Sequence, residues 1–139
     1  MRSEPLRAID TNVILRYLLR DDIEQWDKAT RLIDSGRLLG LTAVALAEIA
    51  WTLAGPIFRR DRTDVATLLL EVLSRENIVA VGFDKAEAQA ALMACTSPTG
   101  APNFGDALIA ACARSAGLQE IYSFDRRFAR AGVTPITPP

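Results

Sequence analysis

The chain has no histidine among its 139 residues. That absence excludes imidazole acid–base chemistry, Ser-His-Asp triads and the usual zinc ligand sets. Two cysteines, Cys95 and Cys112, are too few for a disulfide framework. Cys112 falls in the apolar run Ala107 to Ala113, where a buried free thiol is expected. No stretch approaches the roughly 20 apolar residues of a membrane span. The first residues, Met1 to Leu6, carry Arg2 and Glu4 without an apolar core, so a signal peptide is not expected and the cytoplasm is the expected location. The net charge of −1 gives no whole-molecule attraction to nucleic acid. Any catalysis must therefore use carboxylates, amines, hydroxyls or a bound metal.

What is present reads as one domain over residues 1–139. Half of the chain is hydrophobic, enough for a core at this length. Short apolar runs alternate with helical periodicity. Leu6 to Ile9, Leu38 to Leu41, Ile78 to Val81 and Glu120 to Ser123 read as strands, the first of them buried, with Val133 to Ile136 as an edge strand. Between them lie helices: one bearing Val13, Ile14, Tyr17 and Leu18, a second bearing Trp26, Ala29, Leu32 and Ile33, and a third from Ala43 to Leu53 capped by Thr42. Others follow from Thr63 as a cap to Ser74, from Asp84 to Met93, and from Asp106 to Ala116 with Gly117 as the stop. This alternation predicts an α/β domain with a mostly parallel sheet, whose ligands bind beyond the carboxyl ends of the strands.

Asp10 and Asp125 each fall just past a predicted strand, on that edge. Asp10 and Asp106 each also open a helix, so capping is the plain alternative for both. Asp125 has a plain alternative too, as a turn residue paired with Arg127. Glu48 is the only charged residue in the apolar segment Ala43 to Trp51; burial there would be costly unless it were paired or metal-bound, and an exposed stripe is the alternative. Together, four carboxylates would repel one another without a cation, and hard divalent cations prefer oxygen ligands. Arg59, Arg60 and Arg62, and again Arg126, Arg127 and Arg130, form two basic clusters that read as solvated surface or as a phosphate-binding rim.

Four segments carry a family resemblance. Asp10-Thr11-Asn12, followed by an apolar helix with Arg16, resembles the opening motif of PIN domains. Glu48-Ile49-Ala50-Trp51-Thr52-Leu53, Phe104-Gly105-Asp106-Ala107-Leu108-Ile109-Ala110-Ala111 and Ser123-Phe124-Asp125-Arg126-Arg127-Phe128 are similar to the second, third and fourth motifs, in order. Among PIN domains the chain looks most like the VapC toxins of bacterial and archaeal toxin–antitoxin pairs. The resemblance implies a PIN-like α/β fold with a twisted, mostly parallel central sheet of 4–5 strands flanked by helices. It implies a Mg²⁺- or Mn²⁺-dependent endoribonuclease with Asp10, Glu48, Asp106 and Asp125 as catalytic and metal-holding residues. It further implies an RNA substrate, a homodimer and a small cognate antitoxin that silences the groove. Ser123 stands where many relatives carry threonine, and either supplies a hydroxyl. Thr11 and Asn12 are candidates for bonding a carboxylate or substrate, with a turn role as the alternative.

Competing readings are testable on the same residues. A phosphatase of the haloacid dehalogenase type requires a second aspartate where Asn12 stands, and a receiver domain requires a late lysine, whereas the lysines are Lys28 and Lys85. A PIN nuclease acting in RNA processing or on DNA, and a non-cleaving PIN-fold module, remain open alternatives. Trp26, Trp51, Tyr17 and Phe58 are candidate RNA-contacting aromatics, with core packing as the alternative for each.

Overall fold

The structure, a computed structural model, describes residues 5–139. Arg2 and Glu4, which argue against a signal peptide, lie outside the described residues. In chain order the elements are β1 (Arg7–Ala8), α1 (Thr11–Leu19), α2 (Ile23–Ile33), β2 (Leu39–Thr42), α3 (Ala43–Ala54), α4 (Arg62–Leu73), β3 (Ile78–Val81), α5 (Lys85–Ala94), α6 (Phe104–Ser115), β4 (Glu120–Tyr122), a 3₁₀ turn (Arg126–Ala131) and β5 (Thr134–Ile136). Every strand pairing is parallel, as the alternation of strands and helices predicts. Parallel neighbours need long crossovers, and the helices supply them. Among the described residues, hydrogen bonding divides five strands into a sheet ordered β1-β2-β3 and a separate pair, β4-β5. Among the described residues, no helix is long and apolar enough to cross a membrane.

The first strand departs from expectation. Arg7 and Ala8 are exposed, and only Ile9 of the Leu6–Ile9 run is buried. β1 lies at the edge of its sheet and pairs on one side only. The central strand β2 is the buried one, with Leu41 fully covered and Leu39 4% exposed.

Helix boundaries follow local chemistry. Thr42 and Asp84 cap α3 and α5 as expected, accepting from the main-chain N–H groups of Ala45 and Glu87. Thr63 does not cap α4; Asp61 does, accepting from Asp64 N–H at 2.8 Å. At the end of α6, Gly117 takes φ +79°, and the N–H groups of Gly117 and Leu118 reach back to the carbonyls of Arg114 and Ala113. This left-handed stop is the role that glycine performs without steric cost.

Two cores result. The main one joins Ile14, Leu41, Leu46, Ile49, Leu53, Leu69 and Leu92 with their neighbours. A small second cluster joins Ala110, Phe128, Ala131 and Val133 beneath the β4-β5 pair. Helix α6 belongs to both, because Ala107, Leu108 and Ala111 face the first core and Ala110 the second.

Candidate active site

Asp10 occupies the N-cap position of α1 in an extended conformation, yet its side chain makes no capping bond. Its main-chain carbonyl accepts from Val13 and Ile14, so the helix begins without help from the carboxylate. The plain capping explanation therefore does not account for this acid. Asp10 is exposed at the rim of a cavity of about 380 Å³, which Thr11, Thr42 and Glu48 also line. Thr11 is buried at 4% exposure and is part of the wall. Arg16, one turn further along α1, is held by Asp21, with Nη1 3.0 Å from both carboxylate oxygens.

Glu48 reaches this cavity for a different reason than its apolar context suggests. It is exposed, so no burial cost constrains it. Leu46, Ile49, Ala50 and Leu53 form the buried face of α3, leaving Val44, Glu48 and Trp51 on the outward one. Val44 is 75% and Trp51 60% exposed. The unusual feature is an apolar stripe open to solvent with one carboxylate on it.

Asp106 does not cap α6. Asn103 does, its Oδ1 accepting from Asp106 N–H at 2.8 Å, which places Asp106 in the first turn. A Cβ at Gly105 would meet that same Oδ1 at 3.2 Å, so glycine there leaves room for the cap. Burial pushes the Asp106 carboxyl above the usual carboxylate range, the Asp125 charge adds to this, and Arg127 opposes it. Asp106 also borders a second, mostly apolar cavity of about 620 Å³ with Trp51, Gly105, Ile109 and Cys112. Cys112 is half-buried there, whereas the fully buried thiol is Cys95, whose pKa burial raises to about 11.

Asp125 caps the 3₁₀ turn and is clasped by Arg127. The Arg127 main-chain N–H donates to Oδ1 at 2.9 Å, Nε lies 3.0 and 3.1 Å from the two oxygens, and Nη2 donates to Oδ2 at 2.7 Å. The guanidinium bonds, then the main-chain bond, hold the Asp125 carboxyl below the usual range. Ser123 Oγ accepts from Asp125 N–H at 2.9 Å, so the hydroxyl expected at this position fastens the Asp125 backbone.

The four acids thus assemble as two pairs. Asp10 and Glu48 share one cavity, and Asp106 and Asp125 lie within electrostatic reach of each other. Val44 lines both cavities, which makes them neighbours along the outward face of α3. Among the described residues, no group of three or more Asp, Glu or Cys is gathered tightly enough to hold a metal ion. The donor set still suits a hard cation, since it is entirely oxygen and Mg²⁺ is often held by one or two carboxylates plus water and phosphate.

The sequence matches the PIN domain family model over residues 8–133. The chain belongs to the PIN-domain family. No curated protein matches it. PIN domains form a nuclease superfamily, and all four motif acids of this PIN domain fall within the matched span.

The basic clusters of this PIN domain serve partly as braces. Arg62 ties down the loop after α5 by donating to the carbonyls of Cys95 and Ser97, at 2.8 and 3.3 Å. Arg59 donates to the Pro56 carbonyl, and Arg130 packs beside Gly100 and donates to the Thr99 carbonyl. Arg60 and Arg126 are exposed. Of the candidate aromatics, Tyr17 is bonded to Arg75 and lies under its guanidinium, while Trp26 lies under Arg20. Phe58 is half-buried. Trp51 alone of the four is largely exposed beside an acid. Tyr122 and Phe124, at 71% and 83% exposure, escaped the sequence reading. Alternation along Ile121-Tyr122-Ser123-Phe124 carries the signal, because every second residue faces outward.

One prediction arises from Asp106. Its raised pKa means that ionisation costs the folded state stability. That cost is absent below about pH 4, near the unfolded value, where the carboxyl is protonated in both states, and it builds as pH rises through the higher folded value. Asp106→Asn is therefore expected to melt above the parent chain at pH 7 without metal, with the gap closing at acidic pH. Thermal melts across pH check this; a lower melting temperature at pH 7 would contradict it.

Proposed function

We propose that this PIN domain is a Mg²⁺- or Mn²⁺-dependent endoribonuclease, acting in the cytoplasm as the toxin of a toxin–antitoxin pair. The observation that carries the nuclease reading is Asp10, a helix-start carboxylate that does not cap its helix and shares a cavity with Glu48. An acid without a structural task, placed beyond the carboxyl end of a parallel strand, is where this fold class puts its chemistry.

In this reading Asp10, Glu48 and Asp106 would hold the ion, and Asp125 would complete the pocket or orient the attacking water. When bound, the ion would neutralise phosphate charge, ease deprotonation of water and stabilise the leaving oxygen. The protein's contribution is placement. Asn103 anchors the turn bearing Asp106, Ser123 anchors the backbone of Asp125, and the buried face of α3 fixes the outward face bearing Glu48. Hydrolysis by water would leave a 5′-phosphate and a 3′-hydroxyl. The toxin role, with a homodimer and a small antitoxin entering the groove, rests on the motif resemblance. The solvent-exposed apolar stripe of α3 beside the acids suits such a partner.

Cleavage of a structured RNA with Mg²⁺ or Mn²⁺ tests the activity. Products bearing 5′-phosphate are expected with either ion and none with EDTA. Metal-independent cleavage would overturn the mechanism, and RNA binding without cleavage would point to a non-cleaving module. Cleavage of DNA in preference to RNA would reassign the substrate.

A further inference from the structure

Arg127 does more than cover a turn. Its side chain and main chain engage both oxygens of Asp125, so that carboxylate already has a counter-ion within its own chain. A divalent cation approaching either oxygen would face a guanidinium at contact distance. The two side chains are nevertheless open to solvent, at 54% and 32% exposure. Solvent access weakens the attraction and lets such a pair exchange, although its two-point geometry places it at the stronger end of exposed pairs. The main-chain bond from Arg127 N–H to Asp125 would remain if the side chain left, so the turn keeps an anchor.

Building on the metal-dependent nuclease reading, we propose that Arg127 is an exchangeable counter-ion for Asp125, occupying its carboxylate without metal and yielding it when a divalent cation enters. Arg127 screens Asp106 as well, opposing the effect of the Asp125 charge there. The guanidinium thus eases repulsion between the Asp106 and Asp125 carboxylates. Once displaced, it becomes a free planar donor beside the acids, suited to a phosphate oxygen of the incoming strand. The arrangement raises the cation concentration at which the site fills.

Isothermal titration with Mn²⁺ alone tests this on the parent chain, Arg127→Ala, Asp125→Asn and the double variant. Arg127→Ala is expected to bind Mn²⁺ about threefold more tightly, the scale set by loss of an exposed competing pair. The gain should vanish in the Asp125→Asn background. Arg127→Gln, a shorter polar side chain that keeps an amide donor without the charge, should show the same gain and serves if the alanine variant folds poorly. Unchanged or weaker binding by the Arg127 variants would overturn the inference, as would a gain that persists without the Asp125 charge. No Mn²⁺ binding by the parent chain would instead defeat the nuclease reading itself.

Discussion

Asp10→Asn is expected to lower metal-dependent RNA cleavage by on the order of a hundredfold or more, the scale of losing one charged group aimed at the reacting centre. The substitution preserves shape and removes one negative charge. Folding should be nearly untouched, because the Asp10 side chain makes no capping bond and asparagine suits an N-cap position as well as aspartate does. The two readouts therefore separate: cleavage falls while the melting temperature stays within a few degrees. A variant that cleaves at the parent rate would remove Asp10 from the site. A variant that fails to fold would show that the carboxylate has a structural task the geometry does not reveal.

The second large effect concerns stability. Leu53→Ala is expected to cost about 3 kcal/mol, combining lost transfer energy with the cavity left behind. Leu53 is fully buried on the inner face of α3, in the same core as Ile14, Leu41 and Leu69. Against a typical total of about 5–15 kcal/mol, that is a large fraction, and roughly a 10 °C drop in melting temperature should follow. Trp51→Ala, two residues earlier but on the outward face, should change stability much less because its ring is already 60% exposed. Urea unfolding of both variants checks the contrast. Equal losses would mean that the outward stripe of α3 is packed rather than open.

The pair also shows where sequence reasoning on α3 succeeds and fails. The helix and its Thr42 cap are legible because Ala43–Ala54 is a long apolar helical segment with a hydroxyl ahead of it. Composition alone, however, made Glu48 look buried. The spacing of Leu46, Ile49, Ala50 and Leu53 already marks one inward face, and Glu48 does not belong to it. Period, not average hydrophobicity, decides which side of a helix is wet.

Helix starts are legible to within a turn, but the capping residue is legible at only some of them. At α4 and α6 the caps are Asp61 and Asn103, each upstream of the residue that looked like the start. Several polar residues stand close together at each place, and only backbone geometry selects among them. The correction matters at α6, since it releases Asp106 from capping. The position of Asp125 past a strand was legible, and so was its pairing with Arg127. Its electrostatic link to Asp106 was not, because it depends on how separate elements pack. The same limit applies to the division of five parallel strands into sheets of three and two.

The small cluster of Ala110, Phe128, Ala131 and Val133 gives this division a dynamic meaning. Asp125 is carried by a segment that rests on a few side chains, while Asp10 and Glu48 are carried by elements seated in the main core. Local opening costs least where the buried apolar surface is smallest. By that measure the β4–turn–β5 segment is expected to open before the main core does. Helix α6 packs against both cores, so the placement of the carboxylate that segment bears depends on the smaller core staying packed.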